Sequence, residues 1–167
     1  MNYETVIGIE IHCELKTKSK MFSGAPVIYG AQPNTAVNEI DLGHPGTLPS
    51  LNKEAVRKAL QACMALNLQI DPLVRFDRKN YYYADLPKGF QITQQFHPIG
   101  SNGYIDIETS EGPQRIRINR LHMEEDTAKQ YHVEDESWID FNRAGTPLVE
   151  IVSEADMRSA VEAMAYV

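Results

Sequence analysis

Between Ile7 and Leu15 the chain alternates: Ile7, Ile9, Ile11, Cys13 and Leu15 are apolar, while Glu10, His12 and Glu14 fall between them. A period of two belongs to a β-strand, whose successive side chains point to opposite faces. The stretch therefore predicts a sheet with one packed face and one face bearing two carboxylates and an imidazole. Alternate residues along a strand stand roughly 6 to 7 Å apart, so they can share one divalent cation when a second strand supplies more oxygens. The plainer reading is the wet side of an antiparallel strand, which needs no function.

Composition narrows the classes. The 167 residues suffice for one domain with its own core. No apolar run reaches membrane-spanning length, and Met1-Asn2-Tyr3-Glu4 lacks the basic, apolar, small order of a secretion signal; the expectation is a cytoplasmic protein. Two cysteines, Cys13 and Cys63, occur without metal-site spacing and are expected to be reduced and buried. A net charge of −7 argues against a clamp on a phosphate backbone and suits a cation site better.

Further along, residues 23–50 form a long irregular stretch rich in Gly and Pro. Phe22, Val27, Ile28, Tyr29, Val37, Ile40 and Leu42 predict that it packs and lines the site. The clearest helix follows, with Asn52 as N-cap, Leu51 placed to staple Val56, and Ala55, Val56, Ala59, Leu60, Cys63 and Met64 on one side. Asn67 and Asp71-Pro72 end it.

Residues 76–91 differ in kind. Arg75, Arg78, Lys79 and Lys88 surround Tyr81-Tyr82-Tyr83, and Leu86-Pro87-Lys88-Gly89 reads as a turn. Cations beside aromatic faces hold phosphates and stack bases, although a plain strand with a basic fringe gives the same pattern. No Walker A run or GxGxxG is present, so a nucleotide site here is neither P-loop nor Rossmann. Asn102-Gly103 predicts a hairpin turn between strands at 90–96 and 104–108, and Ser110-Glu111-Gly112-Pro113 another before 114–119. The result is an antiparallel meander.

The last strand runs into the acids Glu124-Glu125-Asp126, which taken alone would be a solvated face. Glu150 is the sharpest single clue, because Pro147-Leu148-Val149-Glu150-Ile151-Val152 sets it among aliphatics. A buried carboxylate needs a cation, donors or a raised pKa; the alternative is a salt bridge to Arg143 or Arg120. Ser159 and Glu162 form a capping box for a final helix over 160–167, so short that the chain reads as a piece of a longer polypeptide.

The strings Val6-Ile7-Gly8-Ile9-Glu10-Ile11-His12, Asp77-Arg78-Lys79-Asn80-Tyr81, Asp85-Leu86-Pro87-Lys88-Gly89, Arg120-Leu121-His122-Met123-Glu124-Glu125-Asp126 and Asn142-Arg143-Ala144-Gly145-Thr146-Pro147-Leu148-Val149-Glu150-Ile151-Val152 carry a resemblance. Together, in this order, they resemble the N-terminal region of GatB, the B subunit of the bacterial aspartyl/glutamyl-tRNA amidotransferases. Cys13 stands where an aliphatic is expected, and Ala155 where proline is.

The resemblance implies an α+β fold with a largely antiparallel sheet, similar to the catalytic domains of glutamine synthetase and guanidino kinases. Residues 1–167 would be the N-terminal part of the catalytic cradle, without the helical and tail domains. It also implies a two-step ligase: ATP phosphorylates the side-chain carboxylate of Glu or Asp misacylated on tRNA, and ammonia then displaces phosphate. The implied partners are the amidase subunit GatA, which releases ammonia from glutamine, the small subunit GatC, and the misacylated tRNA; no membrane is involved. The isolated piece is expected to be inactive.

Under that reading Glu10, His12, Glu124, Glu125 and Glu150 are the expected groups around Mg²⁺, with Mn²⁺ favoured if His12 ligates directly. Glu124 and Glu125 should alternate sides along a strand, which sets Glu124 apart from the rest. Arg78, Lys79 and Lys88 are expected to meet phosphate, Tyr81 or Tyr82 to pack against adenine or the aminoacyl end, and Arg143 to hold a substrate carboxylate or the transferring phosphoryl group. A docking platform for amidase and tRNA, or a metal-dependent phosphohydrolase, are the competing readings.

Overall fold

The structure, a computed structural model, describes residues 2–110 and 112–167. In chain order its elements are β1 (Glu10–Glu14), α1 (Lys53–Ala65), β2 (Gln69–Ile70), β3 (Asp77–Asn80), β4 (Phe90–Thr93), β5 (Gly100–Thr109), β6 (Gly112–Glu125), β7 (Lys129–Val133), β8 (Glu136–Asp140), β9 (Pro147–Ser153) and α2 (Ala160–Tyr166). A five-stranded antiparallel sheet runs β1-β9-β6-β5-β2, flanked by the two-stranded pairs β3-β4 and β7-β8. This is the α+β, largely antiparallel class expected from the sequence. No helix among the described residues is long and apolar enough to cross a membrane.

The central strands β6 and β9 divide their residues between two faces. Leu121, Met123 and Val149 are buried on the core face, where Ala55, Ala59 and Cys63 of α1 join the same cluster. Helix α1 starts as its sequence dictates: the Asn52 side chain accepts from the backbone N–H of Glu54 at 2.9 Å and of Ala55 at 3.2 Å. Such a cap contributes about 1 kcal/mol. Its narrow small-residue stripe lets the sheet come close, and Met64, expected on the packed side, is exposed instead. The final capping box forms too, with Ser159 Oγ accepting from the Glu162 N–H at 3.2 Å.

Asn102-Gly103 is not a hairpin turn. Both residues lie inside β5, where Gly103 pairs with Ile118. A Cβ at Gly103 would sit 2.4 Å from the Leu66 carbonyl oxygen, and one at Gly100 2.6 Å from Cys63 Sγ. Glycine is needed there for close approach of the end of α1 rather than for chain reversal. The strands reverse where Thr109 pairs with Gly112; Glu111 lies outside the described residues.

Cys13 also departs from expectation. It points to the core face, but β1 is the edge strand, so the thiol is exposed; Cys63 is buried as expected. The stretch 23–50 is packed in part. Ala25, Ala36 and Asp41 are buried, whereas Ile28 and Tyr29 are exposed. Its anchor is a buried ion pair absent from the sequence reading, Lys20 Nζ to Asp41 Oδ2 at 3.2 Å, with Ser23 Oγ donating to Asp41 Oδ1 at 2.7 Å.

Candidate metal centre

Register builds the site. On β9, Glu150 lies opposite His12 of β1 and opposite His122 of β6, so three side chains stand in a row across three strands. One rung on, Leu148 lies between Glu14 and Glu124, which by the period of two share that face. The open face of the sheet thus gathers His12, Glu14, His122, Glu124 and Glu150 from residues far apart in sequence.

Within this group His12 Nε2 lies 3.1 Å from Glu124 Oε1 and 3.4 Å from Glu150 Oε2. His122 Nε2 lies 3.0 Å from Glu150 Oε2 and 3.4 Å from Glu124 Oε2. One donor atom each from His12, Glu124 and Glu150 lies within 4.8 Å of the others, a span that a single cation can bridge. Neither arginine proposed as the partner of Glu150 takes that place. Burial pushes the Glu124 carboxyl up, but the pull of His122, His12 and Lys79 outweighs it and holds the group below its ordinary value.

The cluster opens onto a cleft of about 410 Å³ that is also lined by Lys79, Tyr81, Gln91, Asp126 and Thr127. Lys79 and Tyr81 come from the end of β3, and the ammonium stands 5.6 Å from the Tyr81 ring centroid. Asp126 sits just past β6, where burial raises its carboxyl against the neighbouring charge of Arg143. Arg143 in turn donates to the carbonyls of Thr127 and Ala128 at 3.0 and 2.9 Å, which fixes the turn carrying Asp126. A second cleft of about 350 Å³ shares Glu14 with the first and is lined by 27–31 and Arg143, so the irregular stretch does reach the site's edge. There the Tyr29 hydroxyl donates to Glu14.

Other expected site residues stand elsewhere. Glu10 is on the open face but opposite Val152, exposed and outside the convergent set. Glu125 faces the core, where it accepts from Lys88 Nζ at 2.8 Å and from the Ile92 N–H at 3.0 Å. Burial raises its carboxyl above the ordinary value in spite of Lys88. The parity that set Glu124 apart is real, and it is Glu124, not Glu125, that lies with His12 and Glu150 in the convergent group. Arg78 stacks over Phe90 at 4.4 Å and, with Lys88, lines a separate apolar cleft of about 230 Å³. Tyr82 is 87% exposed and lines neither of the clefts just described.

The family model of the GatB/GatE catalytic domain matches residues 5–167. The chain belongs to the GatB/GatE catalytic-domain family. A Mesoplasma florum protein named as the B subunit of an aspartyl/glutamyl-tRNA(Asn/Gln) amidotransferase is 61% identical over 166 residues, covering 99% of this chain and 35% of that protein. Proteins of the same name from Mycoplasmopsis agalactiae and Lysinibacillus sphaericus are each 59% identical over 166 residues, with the same coverage. The chain therefore spans 35% of the length of these relatives.

In this GatB/GatE catalytic domain His122 and Asp126 stand at the site although neither was expected there. His122 stands two residues before Glu124, so the alternation that pairs Glu10 with His12 would have placed it on the same face. Asp126 carried no such signal, because it lies beyond the strand and its direction is set by the turn that Arg143 holds.

Proposed function

We propose that the chain is the N-terminal part of the catalytic cradle of an amidotransferase B subunit acting in the cytoplasm. In this reading ATP phosphorylates the side-chain carboxylate of Glu or Asp misacylated on tRNA. Ammonia, released from glutamine by the amidase subunit GatA in a complex with GatC, then forms the amide. The observation that carries the reading is the convergence of His12, Glu124 and Glu150, with His12 and Glu124 lining the same cleft as Lys79 and Tyr81.

The donor set fits a divalent cation. Two carboxylates suit Mg²⁺, and one imidazole beside them makes Mn²⁺ an equally good occupant. When bound, such an ion neutralises phosphate charge and orients the oxygens for in-line transfer. His12, Glu124 and Glu150 are the residues to hold it.

The remaining work falls to the cleft's other side chains. Lys79 brings a point positive charge to phosphate oxygens, where loose phosphoryl transfer gains from positioning. Tyr81 offers a ring face to adenine or to the aminoacyl end. Arg143 holds the turn that aims Asp126 into the cleft. Arg78 and Lys88 stand at the other cleft, so the phosphate contact is assigned to Lys79.

The test uses the complete amidotransferase complex with misacylated tRNA. Lys79→Ala and Glu150→Gln should each lower ATP-dependent amide formation by about 100-fold or more, roughly 2.7 kcal/mol of transition-state stabilisation, with tRNA affinity within about threefold of wild type. Rates within about twofold of wild type would leave the docking reading in place, and rapid ATP turnover without tRNA would favour the hydrolase.

A further inference from the structure

The two histidines that flank Glu150 are not equivalent. His12 sits at the mouth, with 54% of its side chain exposed, whereas His122 lies on the floor with 7% exposed. The other ring nitrogen of His122 also has a partner: Arg120 Nε donates to His122 Nδ1 at 3.4 Å. A guanidinium has donors and no acceptor and keeps its charge, so the nitrogen facing it must be the one with the lone pair. The ring proton then resides on Nε2.

That Nε2–H points at Glu150 Oε2, 3.0 Å away, with Glu124 Oε2 at 3.4 Å. A protonated ring nitrogen cannot ligate a metal, but it can hold two carboxylates side by side that would otherwise repel one another. Glu124 Oε1 meanwhile faces His12 at 3.1 Å, clear of His122. We propose that His122 is a positioning residue for the metal centre: Arg120 fixes its tautomer, and its Nε2–H sets the spacing of Glu124 and Glu150 so that Glu124 Oε1, the Glu150 carboxylate and His12 Nε2 receive the ion. This rests on the cation reading given above. It inverts the usual arrangement, in which a ligating histidine is oriented by a carboxylate; here a histidine that does not ligate orients two carboxylates that do.

The consequence is a division of labour that can be measured without turnover. Outer partners of metal ligands typically account for 10- to 100-fold in affinity. A glutamine at 122 extends an amide N–H to about the place of imidazole Nε2, whereas leucine fills similar space with no donor.

The experiment titrates Mn²⁺ into the full-length subunit in its complex, reading free Mn²⁺ by electron paramagnetic resonance. His122→Leu should weaken binding about 10- to 100-fold, and His122→Gln should restore it to within about fivefold of wild type. In wild-type protein labelled with ¹⁵N-histidine, the His122 ring shifts should report the proton on Nε2, a measurement that survives if the leucine variant fails to fold. The proposal is overturned if His122→Leu binds within twofold of wild type, if glutamine fails as badly as leucine in a folded protein, or if Nδ1 carries the proton. Should Glu150→Gln weaken Mn²⁺ binding while His122→Leu does not, the positioning role fails and the cation site stands. If wild type binds no Mn²⁺ at this cluster, both fall together.

Discussion

Glu124 and Glu125 are neighbours in sequence and both are buried, yet the sheet sends them to opposite surroundings. Glu125 enters the core face and meets a lysine and a backbone N–H. Glu124 enters the open face and meets imidazoles and a cleft. The same contrast separates Asp41, closed by buried Lys20, from Glu150, flanked by two histidines. A carboxylate answered by a lysine inside the fold is complete. One answered by imidazoles on the open face keeps room for a cation, and that difference is the basis for the roles proposed above.

The largest effect expected from this comparison is on stability at the closed pair. Asp41→Ala strands the Lys20 ammonium, whose pKa burial already pulls down against the support of Asp41, in a fully enclosed position. Breaking a buried pair from one side costs about 3–5 kcal/mol, so denaturant unfolding of the subunit should shift by that much, while Mn²⁺ affinity of protein that remains folded should stay within about threefold. A loss of Mn²⁺ binding larger than the loss of fold would erase the distinction between closed and open acids.

A smaller effect separates the two neighbouring glutamates by pH. The ordinary value for both is 4.5; Glu125 is raised, with burial as the main cause, while Glu124 is lowered because His122, His12 and Lys79 overcome burial. The signs are opposite. Stability from Glu125 is full below 4.5 and is lost as pH rises through its raised value, whereas that from Glu124 is present above 4.5 and is lost as pH falls through its depressed value. Difference infrared spectra of metal-free protein against Glu125→Gln and Glu124→Gln should show the first carboxyl titrating above 4.5 and the second below it. The reverse order would break the comparison.

Much of this was legible in the chain. The alternation through His12 marked one strand of the site, the apolar run around the lone acid Glu150 marked another, and Asn52 marked its helix start because capping is local chemistry. What failed needed partners. Asn102-Gly103 carries the signal of a turn, but its glycine serves the approach of Leu66, a contact no local pattern contains. Cys13 has the right parity for burial and lies exposed because β1 is an edge, a property of strand order. That Glu125 faces Lys88 and not the cluster follows from a register that only the paired strands settle. Lys20 and Asp41, 21 positions apart, give no sign in sequence that they meet inside.

The central claim is that His12, Glu124 and Glu150 hold the cation while Glu125 does not. Anomalous scattering from Mn²⁺-soaked crystals of the complete subunit tests it most directly, beside the same measurement on Glu125→Gln. The expected result is one strong peak within coordination distance, about 2.0–2.4 Å, of His12 Nε2 and of oxygens from Glu124 and Glu150, unchanged in Glu125→Gln. A peak seated on Glu125, or none at the three residues under saturating Mn²⁺, would contradict the account.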